Sequence, residues 1–215
     1  MLDPSDISLT FAKGMRVLKC FDAEATHLSI PEIARRTELD RAVARRLVLT
    51  LVHMGYVVQT DRSFALTPRI LVLAGGFLQG RRFGKRIQPL LAAYSGQAGL
   101  PLSLAMQDED EAVFVAHAGE LDVPRIGFTV GSRVPIDRTA LGAALCATSL
   151  EKQLFQANGT FEQGIVGLAA SVVTNGAVVA AVGTSAPAEI LSDPVRRAHV
   201  EPAILACAAA LCDLF

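Results

Sequence analysis

The stretch that most restricts the fold is SIPEIARRTELDRAVARRLVLTLVHMGYVVQTDRSFALT, Ser29 to Thr67. It reads as two short amphipathic helices joined by a tight turn. A pair of strand-like segments follows the second helix almost at once. Ser29 and Glu32 stand at capping-box spacing, in which the hydroxyl takes an orphan backbone N–H and the carboxylate reaches back. Ile30, Ile33 and Ala34 face inward, and this helix is predicted to end near Thr37–Glu38. Asp40 is placed to cap the next helix, where its charge suits the positive end of the helix dipole. Val43, Leu47, Leu51 and Met54 predict its buried stripe. That stripe turns Arg41, Arg45 and, in part, Arg46 outward. Gly55 is a natural stop. Tyr56–Gln59 and Ser63–Thr67 have strand character, with Asp61–Arg62 at the turn. Upstream, SLTFAKGMRVLKCF predicts a first helix with Leu9, Met15, Leu18 and Phe21 inward and Lys13, Arg16 and Lys19 outward. Helix, helix, turn, helix, hairpin is the order of a winged helix-turn-helix.

The charge distribution bears on what such a unit meets. Residues 1–90 carry 14 Lys+Arg against 8 Asp+Glu, and residues 91–215 carry 6 against 13, although the whole chain is at −1. A basic half joined to an acidic half fits a first half that meets a polyanion. A helix entering the major groove needs long donors that reach base edges or flanking phosphates. Arg41 and Arg45 share a face one turn apart, with Arg46 beside them and Ala42 at the helix start. Arg62 at the wing tip reaches toward backbone or minor groove, and Ser29 opens the preceding helix. These six are the candidate DNA-contacting residues. The same arginines also suit the solvated side of an ordinary amphipathic helix.

Beyond the hairpin, Pro68 opens a further helix through RILVLAGGFLQGRRFGKRIQPLLAAYSGQAG. Its glycines predict two helical pieces with QGRRFGKR near the joint. From residue 101 the pattern changes to strand, acidic turn (Asp108 to Glu111) and strand. DVPRIGFTVGSRVPI adds a strand and a loop, and DRTALGAALCATSLEKQLF reads as helical. GIVGLAASVVTNGAVVAAVGTSAP reads as a hairpin turning at Asn175–Gly176. A last helix carries Pro202 inside it, where a kink or break is expected. Hairpins packed on helices make the second half α+β. The divisions are residues 1–67 for the winged helix-turn-helix, 68–85 for a helical linker and 86–215 for a C-terminal α+β domain with an antiparallel sheet.

Several functions are disfavoured. Cys20, Cys146, Cys207 and Cys212 do not cluster with His27, His53, His117 or His199, so neither a disulfide framework nor a metal site is expected. No apolar run reaches membrane-spanning length and no apolar signal core opens the chain, so a reduced, cytoplasmic protein is expected. No catalytic constellation has motif support, and His117 reads as a strand residue. Neither catalytic residues, a cofactor nor a metal is therefore assigned.

The residues also carry a family likeness. FAKGMRVLKCFD, the stretch from LSIPEIARRTELD to VLAGGFL, PLSLAMQDEDEAVFVAHAG, VGSRVPIDRTALGAAL, GIVGLAASVV and VVAAVGTSAP together resemble the IclR family of bacterial transcription regulators. The resemblance implies a DNA-binding domain, a helical linker and an effector-binding domain, assembled as dimers and often tetramers. It implies repression or activation of catabolic operons for small organic acids, aromatic ones among them, with a double-stranded operator and a small carboxylate effector as partners. By motif match it implies an effector pocket at Thr139, Ala140 and Leu141 at a helix start, with Gly167, Gly183 and Ser185 on facing strands. Arg125, Arg133 and Arg138 are further candidates to pair a ligand carboxylate.

Four positions depart from the family pattern. Glu38 stands at a turn that usually carries Gly, Ala42 and Val43 stand where hydroxyls are usual, and Leu49 replaces a common polar residue. The connector between LCATSLEKQLF and GIVGLAASVV is only QANGTFEQ, where relatives insert a longer helical segment. That predicts either a smaller, more open pocket or weakened or absent effector binding. The alternative function is a non-catalytic small-molecule-binding or dimerisation module that has lost specific DNA reading.

Overall fold

The computed structural model describes residues 3, 6–80, 83–119, 129–149, 151 and 153–215. The chain divides into two compact units, with the boundary between Phe77 and Leu78.

The first unit contains α1 (Leu9–Lys19), β1 (Leu28–Ser29), α2 (Ile30–Thr37), α3 (Arg41–His53), β2 (Val57–Thr60), β3 (Ser63–Leu66) and most of α4 (Arg69–Gly80). The winged helix-turn-helix order holds, with one addition. Leu28 and Ser29 pair with Phe64 and Ser63, so the wing is a three-stranded antiparallel sheet in the order β1-β3-β2. Two residues are too few to show alternation, so β1 has no sequence signal. The core joins Val17, Phe21, Ile33, Ala44, Leu47, Val48, Leu51 and Phe64.

Two inward stripes are corrected. In α3 the packed face is Ala44, Leu47, Val48 and Leu51; Val43 is half-buried and Met54 is exposed. In α1 only Val17 is buried, and Leu9 and Met15 are exposed. Apolar residues occur all round both helices, so periodicity alone admits more than one stripe. Packing against the rest of the core selects the side bearing Ala44 and Val48.

The second unit begins with the end of α4. A π-type turn, Phe83–Ile87, leads into α5 (Gln88–Ala98); the joint expected at QGRRFGKR includes residues 81 and 82, which lie outside the described residues. Then come β4 (Leu102–Asp108), β5 (Glu111–Ala118), β6 (Arg133–Pro135), a 3-10 turn (Ile136–Arg138), α6 (Ala140–Leu145), β7 (Leu154–Asn158), β8 (Ile165–Thr174), β9 (Ala177–Pro187), α7 (Ala188–Leu191) and α8 (Pro194–Leu211). The strand expected in DVPRIGFT falls outside the described residues except for Thr129.

Six strands form one antiparallel sheet in the order β6-β5-β4-β9-β8-β7, with the two hairpins joined through β4 and β9. Asn175 and Gly176 both take positive φ, 53° and 75°, as a tight two-residue hairpin turn requires. One sheet face, with Leu104, Leu168 and Val182, shares a core with Leu91 of α5 and Ile204 of α8. The other face, with Ala105, Phe114, Ala169 and Ala181, packs against Ala140, Leu141 and Ala144 of α6. A bulge opposite Leu104/Ala105 inserts Val115, so Phe114 joins the α6 face while Ala116 joins the α5–α8 face.

The helix expected through DRTALGAALCATSLEKQLF is corrected. Among its described residues only six are α-helical, and Leu154 and Phe155 lie in β7, paired with Ala170 and Ala169. The open edge of β8 provides a ladder for this segment, and tertiary pairing overrides local helical propensity. Pro202 does not break α8, which runs from Pro194 to Leu211. Buried Val200, Ala203 and Ile204 flank it and hold the helix against the sheet. Among the described residues no helix is long and apolar enough to cross a membrane.

Candidate nucleic-acid interface and ligand cavity

In the first unit, the turn between α2 and α3 fixes how α3 is presented. Glu38 takes the left-handed conformation at φ 55° and ψ 33°. Its N–H donates to the Arg35 carbonyl at 3.4 Å, and the Leu39 N–H donates to the Ala34 carbonyl at 3.0 Å. This is the paired closure of a Schellman motif, and Leu39 packs on the core that contains Ala34. The next helix starts at once, with the Asp40 carboxylate accepting from the Ala42 N–H at 2.7 Å. At the other end of α2, the Glu32 carboxylate accepts from the Ser29 N–H at 2.8 Å and from its hydroxyl at 2.6 Å. Ser29 therefore spends its hydroxyl on the cap. Those bonds hold the Glu32 carboxyl below the usual carboxylate range.

The arginines of this unit separate into two kinds. Arg16 donates to the Thr37 carbonyl at 3.3 Å, and Arg36 pairs with Asp22 at 2.7 Å while also reaching the Cys20 carbonyl. Arg69 donates to the Met54 carbonyl. These three tie helices and turns together. Arg35 of α2, Arg41, Arg45 and Arg46 of α3, and Arg62 of the wing turn are exposed and make no side-chain hydrogen bond or ion pair among the described residues. Ala42, Arg45, Arg46, Leu49, Thr50 and His53 line one open concavity along α3. The face therefore extends beyond the residues expected from sequence, to Leu49, Thr50 and His53. Their spacing of three, four and seven from Arg46 is the signal that could have found them. Arg62 follows Asp61, whose φ of 54° makes the wing turn tight.

In the second unit, Thr139, Ala140, Leu141, Gly167 and Ser185 meet at one cavity of about 40 Å³. Gly183 is not among its lining residues. A Cβ there would stand 2.3 Å from the Leu168 carbonyl oxygen, so its lack of a side chain serves close strand packing. Thr139 caps α6, accepting from the Gly142 N–H at 3.1 Å and donating to the Pro135 carbonyl at 2.9 Å. Gly167 lets α6 approach, with the Ala140 Cβ at 3.2 Å from the place a Cβ would occupy.

The short connector proves to be part of the wall. Gly159, Thr160, Phe161 and Glu162, which link β7 to β8, line the cavity together with Arg138 and Phe114. The cavity is small, as expected, and the connector forms part of its wall. Of the three arginine candidates, Arg125 lies outside the described residues. Arg133 is taken up by Glu111 at 2.6 Å and Asp108 at 3.3 Å. Of the two described, Arg138 stands at the cavity. Ser103 and His117 pair across β4 and β5 at 2.9 Å, where burial lowers the imidazole pKa. Among the described residues no group of three or more His, Cys, Asp or Glu side chains could hold a metal ion.

Residues 10–61 match the model of the IclR helix-turn-helix domain. The Pca regulon regulatory protein of Pseudomonas putida is 30% identical over 161 residues, 73% of this chain and 55% of that protein. The chain belongs to the IclR family. The Pca operon regulatory protein of Acinetobacter baylyi is 35% identical over 146 residues, 66% of this chain and 52% of its own length. This IclR-family chain thus spans about half the length of the curated relatives it matches. The fold is shared with an IclR homolog from Microbacterium hydrocarbonoxydans complexed with 4-hydroxybenzoate. That likeness has a TM-score of 0.73 at 18% identity and covers 95% of this chain and 98% of the other.

Proposed function

We propose that this IclR-family chain is a ligand-responsive transcription regulator that binds an operator through α3 and the wing, and that its effector is a small, aromatic carboxylic acid. The observation that carries DNA binding is the set of four arginines without partners among the described residues, on α3 and the wing tip of an IclR helix-turn-helix domain. Unpaired cations on a helix capped for groove entry are what a phosphate backbone and base edges require. The effector reading is supported by the cavity at Thr139, Ala140, Leu141, Gly167 and Ser185. A relative 32% identical over 139 residues, the p-hydroxybenzoate hydroxylase transcriptional activator of Acinetobacter baylyi, and the fold neighbour holding 4-hydroxybenzoate point to an aromatic acid.

The partner for paired half-sites is a second copy of this chain. In the first unit, Leu9 and Phe11 of α1 and Leu71 and Val72 of α4 are each about 70% exposed. Phe11, Met15, Leu18, Met54 and Leu73 also line an apolar groove of about 490 Å³. Burying such a surface in a symmetric dimer presents two α3 helices to two half-sites.

Fluorescence anisotropy with DNA from upstream of the chain's own gene, at fixed salt, tests the reading. Arg45→Ala should weaken binding by roughly 1–3 kcal/mol if it reads a base, and Arg62→Ala should lower the salt slope by about 1 if it meets phosphate. Equal affinity of wild type and Arg45→Ala refutes the assignment of Arg45. Adding 4-hydroxybenzoate should change operator affinity.

A further inference from the structure

The cavity as it stands cannot enclose an aromatic acid. About 40 Å³ is room for roughly three water molecules. Enclosing such a ligand therefore requires part of the wall to move, and the bonding pattern shows which part.

The wall segment 159–164 joins β7 to β8. Its base is pinned by the Gly159 N–H, which donates to the Ile165 carbonyl at 2.8 Å. Both ends carry glycines in the left-handed region, Gly159 at φ 62° and Gly164 at φ 79°. Between them, Thr160 and Arg138 bond reciprocally. The Arg138 guanidinium donates through Nε and Nη2 to the Thr160 carbonyl at 2.8 and 2.6 Å, and the Thr160 hydroxyl donates to the Arg138 carbonyl at 2.5 Å. Among the described residues, this clasp provides every side-chain hydrogen bond that holds residues 160–163 to the rest of the unit. The guanidinium has no carboxylate partner among the described residues and spends two donors on one neutral carbonyl.

We propose that Arg138 is the acid-recognising residue of this cavity and that its clasp on Thr160 holds the cavity shut, so that an incoming carboxylate exchanges for the Thr160 carbonyl and frees the 159–164 loop. This rests on the small-acid reading of the cavity given above. The exchange is favourable because a carboxylate takes both guanidinium donors in a charge-assisted fork, which a single neutral carbonyl cannot match. Glu162, on the same loop and also lining the cavity, has the same charge as the arriving acid. Its repulsion drives the loop away from the bound carboxylate. The ring of the acid then meets Phe114, Leu141 and Ile165, and Ser185 offers a hydroxyl at the far strand.

The test uses the full chain and two readouts. Without ligand, hydrogen exchange of the amides of residues 159–165 should be at least about tenfold faster in Arg138→Gln than in wild type, since charged-donor bonds of this kind are worth about that much or more. Exchange elsewhere in the unit should be unchanged. Equal exchange of the loop in the two proteins overturns the clasp. Titration calorimetry with 4-hydroxybenzoate and its neutral amide reads recognition. Wild type should prefer the acid by roughly ten- to a hundredfold, Arg138→Gln should lose that preference, and Arg138→Lys should keep part of it. An Arg138→Gln protein that still prefers the acid overturns Arg138 as the recognising residue and leaves the small-acid reading standing. A wild type that binds neither compound overturns the small-acid reading and Arg138's role in it, while the exchange experiment still judges the clasp by itself.

Discussion

Glu38 offers the sharpest check on how the helix-turn-helix is built. The Schellman closure of α2 requires the residue at this position to have positive φ, and Glu38 sits at 55°. For a residue with a Cβ the left-handed conformation costs roughly 1–2 kcal/mol, because Cβ crowds the following carbonyl oxygen. Glycine escapes that cost but loses more backbone entropy on folding, by roughly 0.5–1 kcal/mol. Glu38→Gly should therefore stabilise the first unit by about 0.5–1 kcal/mol. The side chain makes no hydrogen bond or ion pair among the described residues, so no contact is lost with it. For a unit of this size a gain of 1 kcal/mol raises the midpoint by roughly 4–8 °C. Differential scanning calorimetry of the full chain reads it as an upward shift of the first unit's transition. Glu38→Ala is the control. It removes the same carboxylate but keeps Cβ, and should leave the midpoint within a degree or two (about the scale of a surface change). An unchanged or lowered midpoint for Glu38→Gly, or an equal rise for Glu38→Ala, would refute backbone strain as the cause.

Three further outcomes follow from particular contacts. Thr184 carries a buried hydroxyl with no hydrogen-bond partner among the described residues. By strand alternation with Val182 and Ala186 it faces the apolar layer beneath α5 and α8, so Thr184→Val should stabilise the second unit by about 1 kcal/mol in urea unfolding. Gly142→Ala places a Cβ 2.0 Å from the Ile136 carbonyl oxygen, and should destabilise that unit by roughly 1–3 kcal/mol through overpacking, seen as a lowered urea midpoint. The Arg36 guanidinium, with the N–H groups of Ala25 and Glu24, holds the Asp22 carboxyl below the usual carboxylate range. A depressed carboxyl contributes stability that is fully present above its unfolded pKa and is lost as pH falls through the lowered folded value. Arg36→Gln should therefore flatten the acid limb of the first unit's stability profile below about pH 4, and an unaltered limb contradicts the pairing.

Much of the first unit was legible because its signals are local. The Ser29–Glu32 cap, the Asp40 cap, the stop at Gly55 and the Asp61–Arg62 turn each involve residues within a few positions of one another. The backbone groups they satisfy are fixed by sequence spacing alone. The Asn175–Gly176 turn was readable for the same reason. Which side of α1 and α3 is buried was not readable, since apolar residues surround both helices and packing partners make the choice. The two-residue β1 and the strand at Leu154–Asn158 exist only because a neighbouring strand edge is there to pair with.

The ligand cavity divides along the same line. Thr139, Ala140, Leu141, Gly167 and Ser185 came from motif likeness. The walls that make them a cavity came from residues distant in the chain. Arg138 and Thr160 are 22 positions apart, and no periodicity or cap links them. Sequence by itself determined the elements whose hydrogen bonds close within one turn, together with the charge asymmetry between the halves. Tertiary structure decided which arginines are structural and which are free, that the connector is a wall rather than a gap, and that Arg138 is already held. Those outcomes depend on long-range contacts, whose partners are chosen by how the sheet and helices pack.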